Sequence, residues 1–127
     1  MTAAGTACFL CALGLAAAAP APRAHVLEDT ECVEASDFIR NAALSRDGGY
    51  LEENFLARVE DDIAAIQAFP PQSRWVVQDE DDAVMLIGAV KEVFRHPLPA
   101  EEHQNRFLLT CRADYGETAV GPRPPQP

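Results

Sequence analysis

The 127-residue chain has room for one domain, and its 48% hydrophobic and 24% charged residues are those of a globular protein, which excludes disorder of the whole chain. Ten Lys and Arg stand against twenty Asp and Glu, a net charge of −10 that disfavours sequence-independent binding to nucleic acid or to an anionic membrane. Lys91 is the sole lysine, so lysine-dependent chemistry has one candidate.

Residues 1–21 carry no charged side chain, and 7–19 form an unbroken apolar run. A run of that length suits the hydrophobic region of a signal peptide and falls short of the roughly 20 residues of a spanning helix. Its flank lacks Lys and Arg, so the amino terminus is the sole positive charge there. Ala16-Ala17-Ala18 before Ala19 fits the small-residue cleavage rule, and Pro22-Arg23-Ala24 is a poorer alternative. The expectation is a signal peptide over 1–24, with the mature chain starting between Ala19 and His25. The competing reading is a buried N-terminal helix. Cys8 and Cys11 lie in this run, and cleavage removes them. The mature chain is then expected to be exported, periplasmic or secreted, with no membrane insertion.

Cys32 and Cys111 remain. An exported chain with one pair of cysteines reads as a single disulfide, and in a reducing compartment the same pair reads as two free buried thiols. Both cysteines fall on apolar stripes of predicted helices. Asp29 or Thr30 is expected to cap a first helix over 31–46, with Cys32, Ala35, Ile39, Ala42 and Ala43 on its inner stripe and Phe38 beside them. Gly48-Gly49 stops it. A second helix is predicted over 52–68 from the spacing of Leu56, Val59, Ile63 and Ile66, and Pro70-Pro71 ends it.

Residues 73–78 have extended propensity but no partner strand, and they read as a connector that drops Trp75 into the core. Asp79 to Asp82 supply a cap and an acidic first turn for a third helix that continues to Arg95. Its inner face is Ala83, Leu86, Ile87, Val90, Val93 and Phe94, and Gly88 in its middle suggests the close approach of a neighbouring helix. Pro97 ends it and Pro99 opens a fourth helix over 100–113, with Phe107, Leu108 and Cys111 inward. From Gly116 the chain is proline-rich, and 116–127 is expected as a disordered tail. The expected fold is all-α: a compact array of four helices over 25–115 with short Gly/Pro connections, a disulfide joining the first helix to the last.

Motifs for chemistry are few. The acidic run 79–82 fails the calcium-loop pattern, because the sixth and twelfth positions counted from Asp79 are Val84 and Val90. His25, His96 and His103 show no zinc-ligand spacing, and no nucleophile elbow or phosphate loop occurs. No catalytic residue, metal or cofactor is assigned, and the chain reads as non-enzymatic. Should it be an enzyme, His103 and its acidic neighbours are the first candidates. Arg74 and Trp75 form the most individual segment, since both residue types concentrate at binding hot spots. The sole Trp of a small helical domain is more often core than interface, and both placements stay open.

The pattern Cys32-x5-Phe38-Ile39-x-Asn41-Ala42-Ala43, Phe55-Leu56, Phe69-Pro70-Pro71, Arg74-Trp75-x2-Gln78-Asp79 and Phe107-Leu108-x2-Cys111 resembles small exported helical proteins of proteobacteria with no assigned function. The resemblance spans 32–111 and implies no activity and no site. An arginine-rich, lysine-poor, alanine-rich composition agrees with a high-GC bacterium. The function expected is macromolecular binding in the bacterial envelope, with an envelope protein as partner. An acid- or envelope-stress chaperone is the alternative, followed by an enzyme of unknown class.

Overall fold

A computed structural model describes residues 25–116; the expected signal segment, and the tail beyond Gly116, lie outside them. Among the described residues the fold is all-α: α1 (Asp29–Asp47), α2 (Glu52–Ile66), α3 (Glu80–Arg95) and α4 (Ala100–Thr110). A single 3₁₀ turn, Pro71–Ser73, lies between α2 and α3, and a π-helical turn, Cys111–Tyr115, extends α4.

The helix ends follow local chemistry. α1 starts two residues earlier than its sequence suggests, because Glu28 and Glu31 form a capping box in which the Glu28 N–H donates to Glu31 Oε2 at 2.8 Å. Asp29 is not the cap: its carboxylate receives both Arg112 Nε, at 2.6 Å, and Arg112 Nη2, at 3.1 Å. The helix closes where the Gly48 N–H donates to Leu44 O at 2.9 Å, and Gly49 takes the left-handed φ of +95° that glycine alone adopts freely. α2 ends at Ile66, and the N–H groups of Gln67, Ala68 and Phe69 close a last tightened turn on Ile63, Ala65 and Ile66. Asp79 caps α3 as expected, accepting from the Asp82 N–H at 3.0 Å. The α-helical part of α4 stops at Thr110 rather than 113, and the chain keeps winding as a π turn to Tyr115.

α1 is the central element and packs on both α4 and α3, while α2 packs chiefly on α3. One apolar cluster joins Ile39, Ala42 and Ala43 of α1 to Leu86, Val90 and Val93 of α3, with Val77 and Ala100. A second joins Leu27, Cys32, Ala35, Val76 and Cys111. The Cys32–Cys111 disulfide sits inside this second cluster with its Cα atoms 5.7 Å apart, so the first helix is clamped to the last as the sequence predicts. Closing a loop of 79 residues contributes about 4.5 kcal/mol by chain-entropy reasoning.

Beside the disulfide the two ends of the domain meet again. The Leu27 N–H donates to Tyr115 O at 2.9 Å, in an isolated parallel bridge between Leu27 and Gly116. Gly116 is buried here, one residue beyond the expected domain limit, and a Cβ on it would lie 2.9 Å from Arg112 O. Gly88 behaves differently from its expected role. It is exposed, and no neighbouring atom lies within 4 Å of where its Cβ would be, so no helix approaches it closely.

Candidate binding groove

α2 carries a strong apolar stripe, yet Val59 is its one fully buried residue. The reason lies in its partners: α3 covers one flank of the stripe and leaves the other open. Aromatic rings fill the space beneath. Tyr50 meets Phe55 edge-on at 5.7 Å, Phe55 lies 6.2 Å from Phe38 and 5.5 Å from Phe94, and Phe38 meets the Trp75 ring edge-on at 5.5 Å. Past Trp75 the stripe opens into a groove of about 440 Å³. Buried Leu86 and Val59 lie deepest, with Phe38 and Trp75 beside them, Ile63 and Ile66 along α2, and Phe69 at the mouth, 56% exposed. Asp62 is the single charged residue in this lining.

The two residues singled out by the sequence separate in role. Trp75 is half-buried, packs in both apolar clusters and also lines the groove. Part of the ring is therefore core, and the rest faces the groove. Arg74 turns its guanidinium onto its own loop: Nε donates to Phe69 O at 2.9 Å, Nη1 to Gln78 O at 3.1 Å and Nη2 to Gln67 O at 3.2 Å. The guanidinium thereby staples the end of α2 to the start of α3 and fixes the loop that carries Phe69 and Trp75. The sequence signal for the groove was the end of the α2 stripe, half-buried Ile63 and Ile66, continued past the helix by exposed Phe69.

His25 Nδ1 lies 2.6 Å from Asp82 Oδ2 and His25 Nε2 lies 3.3 Å from Glu31 Oε2, so both ring nitrogens face carboxylates. Asp82, fully buried, also accepts the Gln78 N–H at 2.9 Å. Buried His103 accepts the Leu98 N–H on Nε2 at 3.2 Å and hydrogen-bonds the His96 backbone. Burial, with the Arg46 cation nearby, holds its pKa below the ordinary histidine value. Both imidazoles are thus engaged in holding chain segments together. Among the described residues no group of three or more His, Cys, Asp or Glu is placed to hold a metal ion, and no helix is long and apolar enough to cross a membrane.

No family model matches the chain, and no curated protein or solved structure matches it either.

Proposed function

We propose that this is a small, exported, non-enzymatic binding protein of the bacterial envelope, and that the groove beside α2 receives apolar side chains of a partner polypeptide. The observation that carries the reading is the groove itself: about 440 Å³ of apolar space bounded by Trp75, Ile66 and exposed Phe69. Its size lies within the roughly 300–1,000 Å³ of ligand pockets, and its aromatic edge is the kind that anchors binding hot spots. Each apolar side chain transferred fully from water into it is worth about 1.5–3 kcal/mol. A rigid bank favours this use, because the Arg74 staple and the Phe38–Trp75 contact order the loop before any partner arrives. Export is supported by the uncharged run at 7–19 together with the Cys32–Cys111 disulfide, a bond that persists in oxidising compartments.

Site-specific photocrosslinking in an expressing bacterium tests the reading. A photoreactive amino acid at Phe69 is expected to give a discrete protein adduct in the envelope fraction. The same group at Leu109, which is still more exposed and lies outside the groove lining, is expected to give none. Adducts of equal yield at both positions, or a chain recovered in the cytoplasm with Met1 intact, would overturn it.

A further inference from the structure

We infer that the partner of this groove is a cationic amphipathic helix, an inference that rests on the groove's being a polypeptide site. The argument is charge complementarity along α2. Its fifteen residues carry Glu52, Glu53, Glu60, Asp61 and Asp62 against Arg58 alone. Glu52 is spent on Arg95, at 2.8 Å, which leaves Glu53, Glu60, Asp61 and Asp62 exposed, with Asp62 in the groove lining itself. In the loop that carries Phe69 and Trp75, the Arg74 guanidinium is turned onto the carbonyls of Gln67, Phe69 and Gln78. An apolar slot with Asp62 in its lining, on a helix with three further exposed carboxylates and in a chain of net charge −10, attracts Lys and Arg beside an apolar face and repels acidic partners.

Shape selects a helix. The α2 residues along the slot, Val59, Ile63 and Ile66, are spaced four and three apart, so the groove follows about two helical turns, roughly 10 Å. Apolar side chains at i, i+3 or i+4, and i+7 of a facing helix match that run. A second copy of this chain is a poor occupant, because two α2 faces would set the same carboxylates against each other in a chain of net charge −10. Anionic lipid is repelled for the same reason.

Titration calorimetry with the full mature chain tests the inference with three amidated helical peptides of about 18 residues, a length of roughly 27 Å. They share one Leu/Phe face and differ in a Lys, Gln or Glu polar face. The Lys peptide is expected to bind about tenfold or more tightly than the Gln peptide at low salt, the advantage shrinking at high salt as charges are screened. The triple variant Glu60→Gln, Asp61→Asn, Asp62→Asn is expected to remove that advantage, so that it binds the Lys and Gln peptides equally. Phe69→Ser and Ile66→Ser, exposed and half-exposed positions whose variants are checked for native circular dichroism, are expected to weaken both peptides. Equal binding of the Lys and Gln peptides, each weakened by Phe69→Ser, would overturn the cationic partner and leave the groove standing. Lys-peptide binding indifferent to both Ser variants would mean plain charge attraction and overturn the inference. Binding of no peptide would overturn the groove along with it. A concentration-dependent dimer abolished by Phe69→Ser would make the second copy the occupant and overturn the inference too.

Discussion

His25 Nδ1 lies 2.6 Å from Oδ2 of Asp82, a residue fifty-seven positions further along the chain. The contact docks the first described residue of the domain onto the opening turn of α3, inside a network that also takes the Gln78 N–H. Because Asp82 is wholly buried, removing its carboxylate strands these donors. Asp82→Ala is expected to lower stability by about 1–3 kcal/mol, and His25→Ala by less, since the ring is partly solvated. Guanidinium unfolding midpoints of the two variants check both values. Equal midpoints for Asp82→Ala and the parent chain would contradict the network.

The disulfide yields the second prediction. Thiol counting on the denatured, unreduced chain from His25 onward is expected to find no free thiol. Reduction, or Cys32→Ser, is expected to cost about 2–5 kcal/mol and to lower the melting temperature, because a domain this small has little stability to spare.

Arg46 makes a third. Its side chain is mostly buried, and it donates to Val93 O at 2.7 Å and to Leu98 O at 2.8 Å, capping the end of α3 and the loop into α4. Arg46→Met leaves both carbonyls without that partner and is expected to cost about 2–4 kcal/mol. Arg46→Lys is expected to recover little, because an ammonium cannot span two carbonyls as the planar fork does. Urea denaturation of the pair gives the comparison.

The fourth concerns pH. Burial first, and the Arg46 cation second, lower the pKa of His103 below 6.5. The unfolded chain therefore takes up a proton at pH values where the folded chain still resists it. The stabilising contribution is complete above about pH 6.5 and is lost as pH falls through the folded value. Asp29 acts in a separate window: its hydrogen bond from Arg112 lowers its pKa below 3.8, so its contribution persists until the solution becomes strongly acid. His103→Gln, which keeps an acceptor for the Leu98 N–H, is expected to flatten the decline in stability that sets in below about pH 6.5 and leave the strongly acid part intact. Unfolding midpoints measured from pH 8 down to about pH 2 would show the two windows apart.

The helices were legible because their signals are local. The stripes of α1 and α3, the Asp79 cap, the Gly48-Gly49 stop and the proline pairs each act within a turn or two of the chain. The Cys32–Cys111 pairing was legible as well, because two cysteines left after an expected cleavage have one way to pair. Part of the polar interior was present in the sequence but disguised. Asp82 stands on the stripe of Leu86, Val90 and Val93, and His103 on that of Ala100, Phe107 and Cys111, each at core spacing. A stripe shows that a residue points inward, and it does not show which distant segment answers its charge.

That answer came from the tertiary structure. It brings His25 to Asp82, Arg46 to the carbonyls of Val93 and Leu98, and Arg74 back onto its own loop. The groove belongs to the same class. Phe38, Val59, Ile66, Trp75 and Leu86 come from three helices and a loop, and the slot between them exists because α3 covers one flank of α2 and nothing described covers the other. Periodicity measures how much apolar surface a helix carries. How much of that surface stays open depends on the crossing of its neighbours, a relation between segments far apart in the chain.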